Sequence, residues 1–224
     1  KRIEMENDLI AARRFYHKIA EPGWMEFKTT INIIKDLKNI GVSDIKYGKK
    51  IHKEDLIFGK PSEEKMKIYK QSLDIRADFD ISEILLGYTG LIATIDTGKK
   101  GMTFAFRFDI DAMPIKESND KFHKPFREGF ASENPFAMHA CGHDGHLSMG
   151  IELSKWLMEN ISNLSGKYIL IFQPGEEGLR GARSISESEY IHDIDYFFAA
   201  HLGMGLPSGK VGVGTTGFLA STKL

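Results

Sequence analysis

Residues 138 to 146 read Met-His-Ala-Cys-Gly-His-Asp-Gly-His and hold the only cysteine and three of the eight histidines of the 224-residue chain. One glycine separates Cys141 from His143. In an extended segment, residues i and i+2 point to the same side. Gly142 has no Cβ, which leaves room for a ligand close to the backbone. A thiolate and an imidazole converging on one point suit a metal of the zinc or manganese type. Two side chains do not hold a catalytic metal, so other segments must supply more. A buried cysteine beside hydrogen-bonded histidines would produce the same letters, and the stretch alone leaves both readings open.

Three apolar segments each run into polar candidates. Residues 103–108 lead to Asp109 and Asp111, residues 168–172 to Gln173-Pro-Gly-Glu176-Glu177, and residues 195–200 to His201. Adjacent carboxylates on a tight turn point in different directions. One of Glu176 and Glu177 can bind a metal while the other takes a proton from the water that the metal activates. A solvated Glu-Glu turn is the usual fate of such a pair. The buried strand before it, and the Pro174-Gly175 that fix the turn, favour the functional reading. Asp111 reads equally as a carboxylate orienting a metal-bound histidine and as a turn or capping residue. His146 reads as structural, and His17, His52, His123 and His192 as surface or satisfied residues.

The elements that must position these groups follow from periodicity. Residues 4–20 read as a helix stopped by Glu21-Pro-Gly. Residues 26–40 form an amphipathic helix through Phe27, Ile31, Ile34 and Leu37, with Gly41 where a C-terminal cap belongs. Ser62 opens a third helix through Met66, Tyr69 and Leu73, and Asp80 a short one ending at Gly87. Residues 91–96 and 103–109 read as two strands of a hairpin, with Phe104, Phe106 and Phe108 on one face. Residues 114–137 form a long loop of the functional or mobile kind. Residues 146–160 read as a well-buried helix with Trp156 in the core. Residues 168–172 and 195–200 read as strands covered on both faces, and residues 178–187 as a helix. Strands alternating with helices argue for an α/β layered domain, whose chemistry collects beyond the carboxyl ends of the strands.

Composition narrows the partners. The formal net charge is −1, which gives no electrostatic case for nucleic-acid or membrane binding. No apolar run is long enough to span a bilayer. A single cysteine rules out an internal disulfide framework and fits a reducing, cytoplasmic setting. The start, Lys-Arg-Ile-Glu-Met-Glu-Asn-Asp, has no apolar signal segment, and its lack of an initiator Met reads as trimming.

Four stretches, FRFDIDAMP (106–114), MHACGHDGH (138–146), IFQPGEEG (171–178) and AAHLGMGLPSG (199–209), resemble in order and spacing the motifs of the amidohydrolase branch of the dinuclear metallopeptidases. That branch includes aminoacylases, hippurate hydrolases, auxin-conjugate hydrolases and carboxypeptidase G-like enzymes. AEPGWMEF (20–27), GYTGLIATIDTG (87–98), HKPFREGFAS (123–132) and GLRGARSI (178–185) extend the resemblance over nearly the whole chain. It implies a three-layer αβα fold with a central mixed sheet and an inserted lid domain that mediates dimerisation. It implies that Cys141, His143, Glu177 and His201 ligate two divalent ions, manganese or zinc. Glu176 would be the general base, and Asp111 would lie just outside the ligands. The implied reaction is hydrolysis of the amide bond of N-acyl amino acids, with p-aminobenzoyl-glutamate as the leading substrate. Hippurate, other N-acyl amino acids and dipeptides are the alternatives.

The sequence departs from that pattern in two ways. The family's QPAEE is Gln-Pro-Gly-Glu-Glu here. The chain also stops at Leu224, where the lid's first strand should begin, so residues 1–216 read as catalytic domain and 217–224 as the start of a truncated lid. The resemblance implies a full-length chain roughly twice as long. The remainder would carry most inter-subunit contacts of a homo- or hetero-oligomer, substrate-carboxylate groups and a last ligating histidine. The chain alone is therefore expected to be inactive or nearly so. Two other readings stand beside this one: a non-catalytic metal-binding partner subunit, and a hydrolase with Cys141 as nucleophile. The latter leaves Glu176, Glu177 and His201 without roles.

Overall fold

A computed structural model describes residues 2–203 and 205–213 of the chain. The elements are α1 (Arg2–Lys18), α2 (Phe27–Ile40), β1 (Asp44–Tyr47), α3 (Glu63–Gln71), β2 (Leu91–Asp96), β3 (Thr103–Asp109), α4 (Lys124–Arg127), α5 (His143–Glu159), β4 (Lys167–Gln173), α6 (Ala182–Ser186) and β5 (Tyr196–Ala199). The five strands form one sheet in the order β1-β2-β4-β3-β5. β2 pairs antiparallel with β1 and β4, whereas β3 pairs parallel with β4 and β5. The sheet is therefore mixed, and helices cover both sides, as expected for a three-layer α/β fold. No helix among the described residues is long and apolar enough to cross a membrane. The expected lid start at residues 217–224 lies outside the described residues.

Strand parity divides the core. Leu91, Ala93, Ile95, Leu170 and Phe172 face α1, α2 and α5, while Ile92, Ala105, Ile169 and Ile171 face Ile51 and α6 on the other side. On α2, Ile31, Ile33 and Ile34 are buried beside Phe27 and Leu37. Isoleucine is a weaker helix former than alanine by a few tenths of a kcal/mol, roughly. Burying each such side chain contributes about 1.5–3 kcal/mol, so packing decides that helix. Gly41 ends it at φ 99° with its amide on the Leu37 and Lys38 carbonyls.

Three expectations are corrected. First, β2 and β3 are not a hairpin, because β4 lies between them. The link from Thr97 to Met102 straddles the start of β4, with Gly166 N donating to Lys99 O at 2.9 Å and Lys167 N to Met102 O at 3.0 Å. Lys167–Gln173 is apolar on both faces and needs a strand on each side. A link of that length spans two strand spacings, about 10 Å, and hydropathy does not reveal the partner. Second, Trp156 is 43% exposed. The buried stripe of α5 runs through His143, Leu147, Gly150, Ile151, Ser154 and Leu157. A Cβ on Gly150 would lie 2.7 Å from Phe108 and 2.8 Å from Phe172. The helix thus approaches the sheet by its small residues, and the large Trp156 is left outside. Third, β5 is an exposed edge strand whose Tyr196, Phe197 and Phe198 are each about half accessible. Among the described residues, Tyr196 stacks on Phe104 at 5.5 Å and Phe198 on Phe106 at 5.2 Å.

Candidate metal centre

Because β3, β4 and β5 are parallel, their carboxyl ends share one edge of the sheet. Asp109 and Asp111 leave β3, the Gln173–Glu177 turn leaves β4, and His201 follows β5. Ile110 N donates to Gln173 O at 3.0 Å, which carries the β3–β4 pairing past the strand ends. The fourth contributor is the start of α5. Gly142 sits at φ 85° before the helix, a conformation available to glycine. The first helical residue is His143, so Cys141 and His143 flank a sharp corner and not an extended segment.

At this edge Cys141 Sγ lies 3.3 Å from His201 Nε2. His143 Nε2 lies 3.7 Å from Glu176 Oε2, 3.9 Å from Glu177 Oε1 and 3.7 Å from Asp109 Oδ2. Three groups of donor atoms each gather within 4.8 Å of one another: Cys141, His143 and His201; His143, Glu176 and Glu177; Asp109, His143 and His146. His143 belongs to all three. Every residue singled out from the sequence, Cys141, His143, Glu176, Glu177, His201 and Asp111, is thus brought to one place.

Asp111 works from behind. Its main-chain oxygen is 2.8 Å from His143 Nδ1. The Nδ1–H is therefore the donor, and Nε2 is left facing the carboxylates, where it would ligate once its proton is lost. Asp111 Oδ2 accepts from Glu177 N at 2.9 Å, so the aspartate ties the imidazole to the acidic turn.

The electrostatics are those of a site built for a cation. Burial lowers the pKa of His143, but the hydrogen bond to Asp111 and the charges of Asp109, Asp111 and Glu176 outweigh it and lift the pKa to about 9. Burial, then the charges of Glu177, Glu176 and Asp109, pushes the Cys141 thiol up to about 11. Burial likewise raises Glu177, against the pull of His143. Buried atoms without a hydrogen-bond partner include His143 Nε2, Glu177 Oε1 and Asp111 Oδ1. Such orphaned atoms are costly. A divalent cation would give His143 Nε2 and Glu177 Oε1 their missing partner, and a donor set of thiolate, imidazole and carboxylate fits zinc or manganese. A groove of about 920 Å³ lined by Ile19, Met25, Tyr69 and Phe136 contains none of these residues.

Sequence reading missed two members of the site. His146 Nδ1 hydrogen-bonds Asp109 Oδ1, and His146 Nε2 accepts from Leu202 N at 2.9 Å. This pair carries the His201 loop. Burial, which raises Asp109, is outweighed by His146, His143 and Arg107, and its pKa falls to about 2. The signal was the i, i+3 spacing of His143 and His146, which places both on one helical face. The second is Glu26, completely buried, whose Oε1 accepts from Gly175 N at 2.8 Å. Two of the other buried histidines are satisfied, whereas His139 is buried with neither ring nitrogen hydrogen-bonded. His17 bridges Asp144 and Glu117 at 2.7 and 2.9 Å, and His52 lies between Ser184 and Thr89. His17 and Glu117 also pin the long 114–137 loop, since Glu117 holds His123 and the Ser132 amide.

The chain is 40% identical over 215 residues to one of the component polypeptides of p-aminobenzoyl-glutamate hydrolase from Escherichia coli, covering 94% of this chain and 49% of that protein. It is 42% identical over 213 residues to the indole-3-acetyl-aspartic acid hydrolase of Enterobacter agglomerans, again covering 94% of this chain and 49% of the relative. The chain thus spans about half the length of the curated relatives it matches. A crystal structure of a dinuclear metal-binding peptidase of the M20 family from Bacillus subtilis superposes with a TM-score of 0.66 at 28% identity, covering 91% of this chain and 45% of that one. The description of peptidase family M20/M25/M40 matches residues 105–217, from the middle of β3 to beyond His201. The chain belongs to peptidase family M20/M25/M40.

Proposed function

We propose that this chain is the metal-binding half of an amidohydrolase that cleaves N-acyl amino acids. The observation that carries the reading is the placement of His143 Nε2, buried and unpartnered, within 3.9 Å of both Glu176 and Glu177, beside the Cys141–His201 pair. Cys141, His143, Glu177 and His201 hold two divalent ions, manganese or zinc. Ions held by these side chains would supply Lewis-acid chemistry, polarising the scissile carbonyl and acidifying water. Glu176 is the more exposed of the two acidic residues, its side chain 31% accessible against 19% for Glu177. It takes the proton from the attacking water and delivers it to the departing nitrogen. A C–O bond forms, the C–N bond breaks, and a carboxylate and an amine leave. Asp111 holds His143 in the tautomer that ligation needs.

The leading substrate is p-aminobenzoyl-glutamate, the compound named for the Escherichia coli relative. Indole-3-acetyl-aspartate, named for the Enterobacter relative, shares an aromatic acyl group on an acidic amino acid and is the second candidate, ahead of hippurate and dipeptides. The functional unit is a longer polypeptide in which a lid domain and a further ligand follow residue 216, working as a homo- or hetero-oligomer in the cytoplasm. The 224 residues alone are inactive or nearly so. The test is turnover by the polypeptide extended to its relatives' length and loaded with Mn²⁺ or Zn²⁺. The expected result is release of p-aminobenzoate and glutamate with a higher kcat/KM than for hippurate. Cleavage by the 224 residues alone at the same rate would contradict the split; no cleavage of any N-acyl amino acid by the extended, loaded protein would overturn the reading.

A further inference from the structure

Three of the stretches that extend the family resemblance, residues 20–27, 87–98 and 178–185, carry none of the candidate metal ligands. All three pack around the turn that presents Glu176 and Glu177. Gly23 lets its segment approach closely: a Cβ there would lie 3.0 Å from Gly175 Cα and 3.3 Å from Asp111 Oδ2. Trp24, at φ 66°, lies against Gly175 and donates its Nε1–H to Phe58 O at 2.8 Å. A Cβ on Gly90 would meet Pro174 at 2.5 Å, and one on Gly181 would meet Pro174 O at 1.7 Å. Gly175 O accepts from the amides of Arg180 and Gly181 at 3.0 and 2.9 Å. The hub is Glu26. One carboxylate oxygen accepts from Gly175 N at 2.8 Å and the other from Thr89 Oγ1 at 2.6 Å. A carboxyl group with no accessible surface and no cation beside it among the salt bridges of the described residues is an expensive group to keep; burial, then the charge of Asp111, raises its pKa to about 8, and nothing in the hydrolytic chemistry uses it directly.

We propose that Glu26 is a positioning residue, which through the Gly175 amide sets the direction in which Glu176 and Glu177 leave the β4 turn. The inference rests on the reading of Glu176 as base and Glu177 as ligand. The Gly175 amide is one residue before Glu176. Asp111 fixes the turn one residue after it, at the Glu177 amide. The base is thus held between two carboxylate-to-amide bonds. Releasing the first lets Glu176 swing while Glu177 stays tied, and a displacement of about 1 Å at a catalytic group can cost on the order of 100-fold in rate.

The test compares Glu26→Asp with Glu26→Gln in the extended, metal-loaded protein. Aspartate keeps the carboxyl group but, one methylene shorter, draws back from Gly175 N. Glutamine keeps the reach, its amide oxygen still accepting from Gly175 and its NH₂ donating to the Thr89 hydroxyl. Amide hydrogen exchange across residues 173–181 should quicken at least 10-fold in E26D and stay near wild type in E26Q. The kcat should fall about 10- to 100-fold in E26D at unchanged KM and unchanged bound metal, with E26Q recovering most of it. Wild-type exchange and kcat in E26D would overturn the proposal. So would E26Q as impaired as E26D, which would show that keeping the reach to Gly175 does not restore the turn. If the wild type hydrolyses no N-acyl amino acid, the functional reading fails while the exchange contrast still decides whether Glu26 clamps the turn.

Discussion

The amide of Glu177 donates to Asp111 Oδ2 over 2.9 Å, while the main-chain oxygen of Asp111 holds His143 Nδ1 at 2.8 Å. One aspartate therefore joins the ends of β3 and β4 to the first turn of α5. Asp111→Ala keeps the main-chain hold on His143 but removes the bond to the Glu177 amide, so the acidic turn should drift from the imidazole. Loss of an outer partner that orients a ligating group typically weakens metal binding by about 10- to 100-fold. Competition titration against a chromophoric chelator measures this, and unchanged affinity in the variant would remove Asp111 from the site.

The two glutamates should separate cleanly by substitution. Glu176→Gln should retain both ions and lose about 10²- to 10⁴-fold in kcat, the range for a general base. Glu177→Gln should lose metal first, seen by elemental analysis after gel filtration. Metal loss in E176Q with retention in E177Q would reverse their roles.

Cys141 is the only thiol in the chain, so its contribution can be read spectroscopically. The Co²⁺-loaded protein should show an intense near-ultraviolet thiolate-to-metal band that disappears in Cys141→Ser. Its persistence would mean that the sulfur does not ligate. Removal of the ions by a strong chelator should also lower the melting temperature, because a ligand bound only by the folded state stabilises it.

His52 makes stability fall on the acid side. Burial, reinforced by Lys60 and only partly opposed by the bond to Thr89 O, lowers its pKa from about 6.5 to about 4. Between those values the unfolded chain binds a proton that the folded chain refuses. Stability is therefore full above about pH 6.5 and declines as pH falls towards 4, by up to about 3 kcal/mol. Burial raises buried Glu21 to about 7, which acts in the opposite sense, so the informative quantity is a difference. The gap in unfolding free energy between wild type and His52→Gln should shift in favour of the variant between pH 7 and pH 5. A gap that does not change with pH would show that His52 does not titrate in this way.

Gly166 records how β4 was inserted between β2 and β3. At φ 80°, a Cβ there would lie 2.0 Å from Met102 O, whereas Gly98, at φ 69°, has nothing within 4 Å. Gly98→Ala should cost about 1–2 kcal/mol for the left-handed conformation alone. Gly166→Ala should cost clearly more, since the link must also move. Urea midpoints at constant m-value test the contrast, and equal losses would mean that the crossing is loose.

Hydropathy and capping signals were enough for the elements with local causes. α2 follows from Phe27, Ile31, Ile34 and Leu37 with Gly41 as its stop. α3 follows from Ser62, whose hydroxyl accepts from Lys65 N. Glu176, Glu177 and His201 were legible as candidates because unusual donor types follow apolar runs, and Cys141 and His143 because a single glycine separates them. What the letters could not carry was partnership between distant segments. The order β2-β4-β3 depends on which strand can be covered on four sides. The outward turn of Trp156 depends on Gly150 and Ser154 letting the helix approach the sheet. The pairing of His146 with Asp109, and of Glu26 with Gly175, joins residues 37 and 149 positions apart. Side-chain chemistry and local periodicity are written residue by residue, so the chain alone determined which groups could bind a metal and which segments would be helix or strand. Which of those groups meet, and what holds them there, is a property of close packing in three dimensions, and only the tertiary structure decided it.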